Sequence, residues 1–104
     1  MLDVSAEHLG LIVALLGEHV PGAEVLAFGS RVRGGAKKHS DLDLVVRSAG
    51  RLSLSTLGEL RLAFQESDLP FRVDVVDWHA ISDSFRSIIA ERFETIAPGE
   101  GRPL

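Results

Sequence analysis

Two short apolar runs of this chain carry acids where a buried strand would carry hydrophobic side chains. One is Ser40-Asp41-Leu42-Asp43-Leu44-Val45-Val46, the other Phe71-Arg72-Val73-Asp74-Val75-Val76. Successive side chains of a strand point to opposite faces. Asp41 and Asp43 therefore share one face, and Leu42 and Leu44 share the other. Asp74 stands between Val73 and Val75 in the same pattern. A buried carboxylate without a partner costs on the order of several kcal/mol. Three acids in such runs call for a compensating cation, and carboxylate oxygens suit Mg²⁺.

The rest of the chain reads as a small sheet with covering helices. Ser5 is placed to cap a first helix, with Glu7 in its first turn and Leu9, Ile12, Val13, Leu16 and Val20 at helical spacing. Leu11 and Leu15 fall off that stripe and either widen the core face or mark a partner surface. Pro21-Gly22 ends the helix. Glu24 to Gly29 reads as a strand, apolar enough to be covered on both faces. Ser30 to Gly34 opens a short helix, and Gly34 to Ser40 is a loop. Strands are expected over Asp41–Arg47 and Phe71–Asp77, with a helix over Leu54–Ser67 between them that buries Leu57, Leu60 and Phe64. Ser82 or Asp83 caps a last helix carrying Phe85, Ile88, Ile89 and Phe93. The fold class is α/β (α+β): a small mixed β-sheet flanked by helices. It forms one domain over residues 1–97, followed by a flexible tail over 98–104.

Composition narrows the function classes. The chain has 104 residues and no cysteine, which excludes a disulfide framework and thiolate chemistry and fits a cytoplasmic protein. The N-terminus lacks a basic region of the signal-peptide kind. The apolar run Leu9–Leu16 is too short to span a bilayer. A net charge of −4 argues against a dedicated nucleic-acid binder. Locally the balance reverses, with Arg31, Arg33, Lys37 and Lys38 between a glycine–serine pair and the acids.

That pair, Gly29-Ser30, is separated from Asp41 by ten residues. Gly29 lets the backbone approach a ligand closely. Ser30 begins a helix, whose free N–H groups suit phosphate oxygens. Phosphates at Gly29-Ser30 beside a metal at Asp41 and Asp43 is the pattern of phosphoryl or nucleotidyl transfer. Asp74 joins them if the two acid-bearing strands are neighbours. Asp77 fits better as a cap of the following turn. Arg31 and Arg33 are candidate phosphate or partner contacts. His8, His19, His39 and His79 form no metal spacing, although His39 lies beside the acid pair. Trp78 is expected to pack.

Gly29-Ser30-Arg31-Val32-Arg33-Gly34, then Ser40 to Val46, then Val73-Asp74-Val75-Val76, resembles the minimal nucleotidyltransferases of the polymerase-beta-like superfamily. The resemblance runs from Leu9 to about Ile96. It implies that Gly29 and Ser30 bind the phosphates of an NTP, and that Asp41, Asp43 and Asp74 are catalytic and bind two Mg²⁺ ions. It also implies ATP as donor of AMP and a hydroxyl of a partner protein as acceptor. Many such proteins are encoded beside a HEPN ribonuclease toxin and act as its antitoxin, some by transferring AMP to a tyrosine of the toxin. Two alternatives stand beside this one. One is transfer to a small molecule, as in aminoglycoside nucleotidyltransferases, for which the chain looks small. The other is a non-catalytic antitoxin that acts by occlusion.

Overall fold

The computed structural model describes residues 2–37 and 40–99. Helix α1 spans Ala6–His19, and the Ser5 hydroxyl accepts the His8 N–H at 3.2 Å. The Val20 N–H closes the helix on the Leu16 carbonyl. Strand β1 covers Glu24–Phe28, α2 Ser30–Arg33 and β2 Leu42–Arg47. Helix α3, Leu54–Gln65, is capped by Ser53, whose hydroxyl accepts the Thr56 N–H. Strand β3, Val73–Asp77, leads through a 3₁₀ turn at Trp78–Ala80 to α4, Asp83–Glu91. Ser82 caps α4 by accepting the Phe85 N–H at 3.1 Å.

A last strand, β4, covers Glu94–Pro98 and was not foreseen. Phe93 follows Ile89 at helical spacing, so the sequence pattern carries the helix on. Instead the backbone turns extended at Arg92, and Phe93 is left 44% exposed. β4 exists because β1 offers a partner, with Val25 opposite Ala97 and Leu26 opposite Thr95. Such a distant pairing has no local signature. Pro98 thus ends a strand, and residues 100–104 of the expected tail lie outside the described residues.

The sheet order is β3-β2-β1-β4. β1 runs antiparallel to both neighbours, whereas β2 and β3 are parallel and joined by α3 as a crossover. One face holds the larger core. There Val25 and Ala27 of β1, with Leu42, Leu44 and Val46 of β2, meet Ile12 and Leu16 of α1 and Leu60 and Phe64 of α3. On the other face Leu26 and Val45 lie under Ile89 of α4, with Phe28, Val76, Trp78 and Phe85 half-buried around them. Val25 to Phe28 of β1 are all apolar because both faces of the strand are covered. Asp77 is buried and acts as the cap expected of it: its carboxylate accepts the His79 N–H at 3.1 Å and the Leu52 N–H at 2.8 Å.

Candidate active site

The acids gather where strand ends meet on the α4 side of the sheet. Leu44 and Val75 face the larger core, so Asp43 and Asp74 must face the other way. The parallel register places Asp43 directly beside Asp74, one strand spacing away. Asp41 lies just before β2, which begins at Leu42 and not at Asp41 as the sequence suggests. The adjacency that sequence alone left open is thus supplied by the β2–α3–β3 crossover.

On the other side of Asp43 stands the end of β1. Phe28 pairs with Asp43 across the antiparallel ladder, and Gly29 follows. Gly29 has φ 85° and ψ −159°, a conformation open essentially to glycine. A Cβ there would meet the Asp43 Oδ2 at 2.3 Å. The turn is therefore packed against the carboxylate. Gly29, not Ser30, is the cap residue of α2, and its carbonyl accepts the Val32 and Arg33 N–H groups at 3.0 and 2.9 Å. Ser30 is the first helical residue, half-buried beside this turn.

The two arginines of the turn part company. Arg33 is exposed, and its charge acts on Asp43. Arg31 is 6% exposed and points into the scaffold. Its Nε donates to the Ser40 carbonyl and its Nη1 to the Asp3 carbonyl, both at 2.8 Å. Its guanidinium lies over the Phe71 ring at 4.2 Å. Arg31 thereby pins the residue before Asp41 instead of reaching toward a ligand. Ser40 further ties the loop by accepting the Lys37 N–H at 2.8 Å. Lys38 and His39 lie outside the described residues.

Electrostatics mark Asp43 as the centre. Burial first, then the Asp74 and Asp41 carboxylates, push its carboxyl above the ordinary value, and Arg33 opposes them. Asp74 has a neighbour that sequence reasoning missed: Arg72, whose Nη2 donates to Asp74 Oδ1 at 3.1 Å. The period of a strand would have found it, since residues two apart share a face. Among the described residues no three acids or histidines stand at the spacing of a preformed metal site. The donor set nevertheless suits a hard divalent cation: carboxylate oxygens on adjacent strands, one of them reluctant to ionise without a balancing charge.

A row of carboxylates beside a glycine–serine turn is the arrangement of a nucleotidyl-transfer centre, and known proteins lead to the same class. Residues 11–96 match the nucleotidyltransferase domain, and the chain belongs to that family. It is 46% identical over 99 residues to "Probable protein adenylyltransferase MntA" of Haemophilus influenzae, covering 95% of this chain and 87% of that protein. It is similar to a solved toxin–antitoxin complex with AMP-PNP, at TM-score 0.74 and 25% identity over 88% of this chain and 74% of the matched one. A mutant MntA–HpeT toxin–antitoxin structure gives TM-score 0.71 at 26% identity, over 88% and 72% of the two chains. Among the described residues no helix is long and apolar enough to cross a membrane.

Proposed function

We propose that this nucleotidyltransferase is a Mg²⁺-dependent protein adenylyltransferase, moving AMP from ATP to a hydroxyl of a HEPN-type toxin and so acting as its antitoxin in the cytoplasm. The observation that carries this reading is the side-by-side placement of Asp43 and Asp74 with Gly29 packed against Asp43. Identity of 46% to a protein named as an adenylyltransferase supports the donor and the class of acceptor.

In this reading Gly29 lets the backbone approach the ATP phosphates, and the Ser30 hydroxyl donates to a phosphate oxygen. Arg33 offsets charge on the same side. Asp41, Asp43 and Asp74 would hold two Mg²⁺ ions. Bound there, the ions would lower the pKa of the acceptor hydroxyl and neutralise charge on the leaving pyrophosphate. Asp74 also takes up the proton of the acceptor hydroxyl at its carboxylate. The acceptor oxygen forms a bond to the α-phosphorus, the bond to the bridging oxygen breaks, and pyrophosphate departs.

The test uses ATP labelled at the α-phosphate, Mg²⁺, this protein and the product of the adjacent gene. Label should appear on the partner with wild type and not with the Asp41→Asn/Asp43→Asn variant. Equal labelling by the variant, or none by wild type, rejects the reading.

A further inference from the structure

β3 ends the sheet, and a cleft of about 1060 Å³ runs along it, reaching from Asp43 and Asp74 around to α3. Two arginines line it. Arg61 of α3 donates from Nε and Nη2 to the Val75 carbonyl, at 3.3 and 2.9 Å. Arg72 donates from the same two nitrogens to Asp74 Oδ1, at 3.4 and 3.1 Å. Each guanidinium is thus anchored along one edge. A guanidinium carries five N–H donors. The Nη1 groups of both arginines have no partner among the described residues, and both side chains belong to the cleft wall. Phe28 and Phe85, in edge-to-face contact at 5.7 Å, add an apolar wall near the acids.

Phe28 borders the cleft beside the turn, but most of its lining belongs to β3 and α3, on the side of Asp43 away from β1. In phosphoryl transfer the attacking and leaving oxygens are roughly in line through phosphorus. With the leaving pyrophosphate toward Gly29 and Ser30, the attacking hydroxyl must come from the β3 side. This step rests on the function proposed above. We infer that the cleft along β3 is the acceptor site, that it takes an extended, acidic peptide segment, and that Arg61 and Arg72 select that segment by its carboxylates. A strand-like segment fits because the cleft follows an edge strand, whose neighbour side chains alternate faces. A hydroxyl on the same face as Asp74 then stands in the row that begins with Asp43 and Asp74. A guanidinium's planar fork matches a carboxylate, and charge-assisted pairs are the stronger hydrogen bonds. A nucleic-acid acceptor is disfavoured, because two arginines neutralise few phosphates.

The test is fluorescence anisotropy with short labelled peptides, each centred on a hydroxyl residue and flanked either by glutamates or by lysines. Titrations are run with Mg²⁺, with and without a non-hydrolysable ATP analogue. The glutamate-flanked peptides should bind about tenfold tighter than the lysine-flanked ones. Arg72→Ala and Arg61→Ala should each shrink that ratio, their double variant should abolish it, and Arg72→Lys should restore part of it. A merely structural role would weaken both peptide sets alike and leave the ratio standing. Equal binding of the two sets, binding of neither, an unchanged ratio in the double variant, or displacement by a short RNA overturns the inference. Failure of wild type to bind the analogue counts against the adenylyltransferase reading itself, whatever the peptides do.

Discussion

The sheet face under α1 and α3 is closed, whereas the face under α4 is left open at the end that carries the acids. The closed face buries Ile12, Leu42, Leu44, Val46 and Leu60 completely. The α4 face buries only Val45 and Ile89 to that degree, and Ile88 on the same helix as Ile89 is 59% exposed. The strands themselves are shared, so the difference lies in alternate residues of the same segments. Leu42 and Leu44 anchor β2 from one side so that Asp43 can be held rigidly on the other. The lesson is a division of labour within a single strand: one set of residues supplies stability, and the set between them lines the candidate site.

The sharpest way to break that division is to cut the closed face. Leu44→Ala removes a fully buried side chain beneath Asp43. It should destabilise by about 2–5 kcal/mol, a large part of the stability of a small domain. Urea titration followed by circular dichroism measures it. A loss well under 1 kcal/mol would mean that the closed face does not carry the fold.

Gly29→Ala probes the boundary between the two regions. Its backbone conformation belongs to glycine, and the new methyl would collide with the Asp43 carboxylate. The expected loss is on the order of 1–3 kcal/mol. Nucleotide affinity should fall further than that loss explains, because Asp43 must move. Calorimetric titration with an ATP analogue, at a temperature where the variant is folded, separates the two. Unchanged affinity would detach the turn from the site.

How much of this was legible in the sequence follows the same division. Leu57, Leu60 and Phe64 announced a core face because helical spacing is a local signal, and Ser5 and Ser82 announced helix starts because capping is local too. The alternation around Asp43 and Asp74 announced one-faced strands. Their adjacency was not legible, because it depends on a parallel crossover between segments some thirty residues apart. β4 was missed for the same reason, its partner β1 lying far back in the chain. Arg31 misled for a different one. A cation beside a glycine–serine turn reads as a phosphate ligand, and nothing local shows that two backbone carbonyls, of Asp3 and Ser40, claim its guanidinium.

The smallest expected effect on stability discriminates most finely between the two faces, because its sign is opposite to that of a core change. Asp43 carries a carboxyl whose folded-state pKa lies above the ordinary value, through burial and through Asp74 and Asp41. The folded protein therefore holds that proton more tightly than the unfolded chain does. By linkage, stability falls as pH rises through the ordinary carboxyl value and on to the raised one, and is flat above it. Asn at this position has no proton to lose. In chelator, Asp43→Asn should unfold a few degrees above wild type at neutral pH, and the gap should close as pH falls below the ordinary carboxyl value. Mg²⁺ should narrow the gap at neutral pH, since only the carboxylate gains from it. Thermal unfolding across this pH range, with and without Mg²⁺, reads all three. A variant less stable than wild type at neutral pH in chelator would make Asp43 a structural acid. The open end of the sheet would then belong to the scaffold and not to the site.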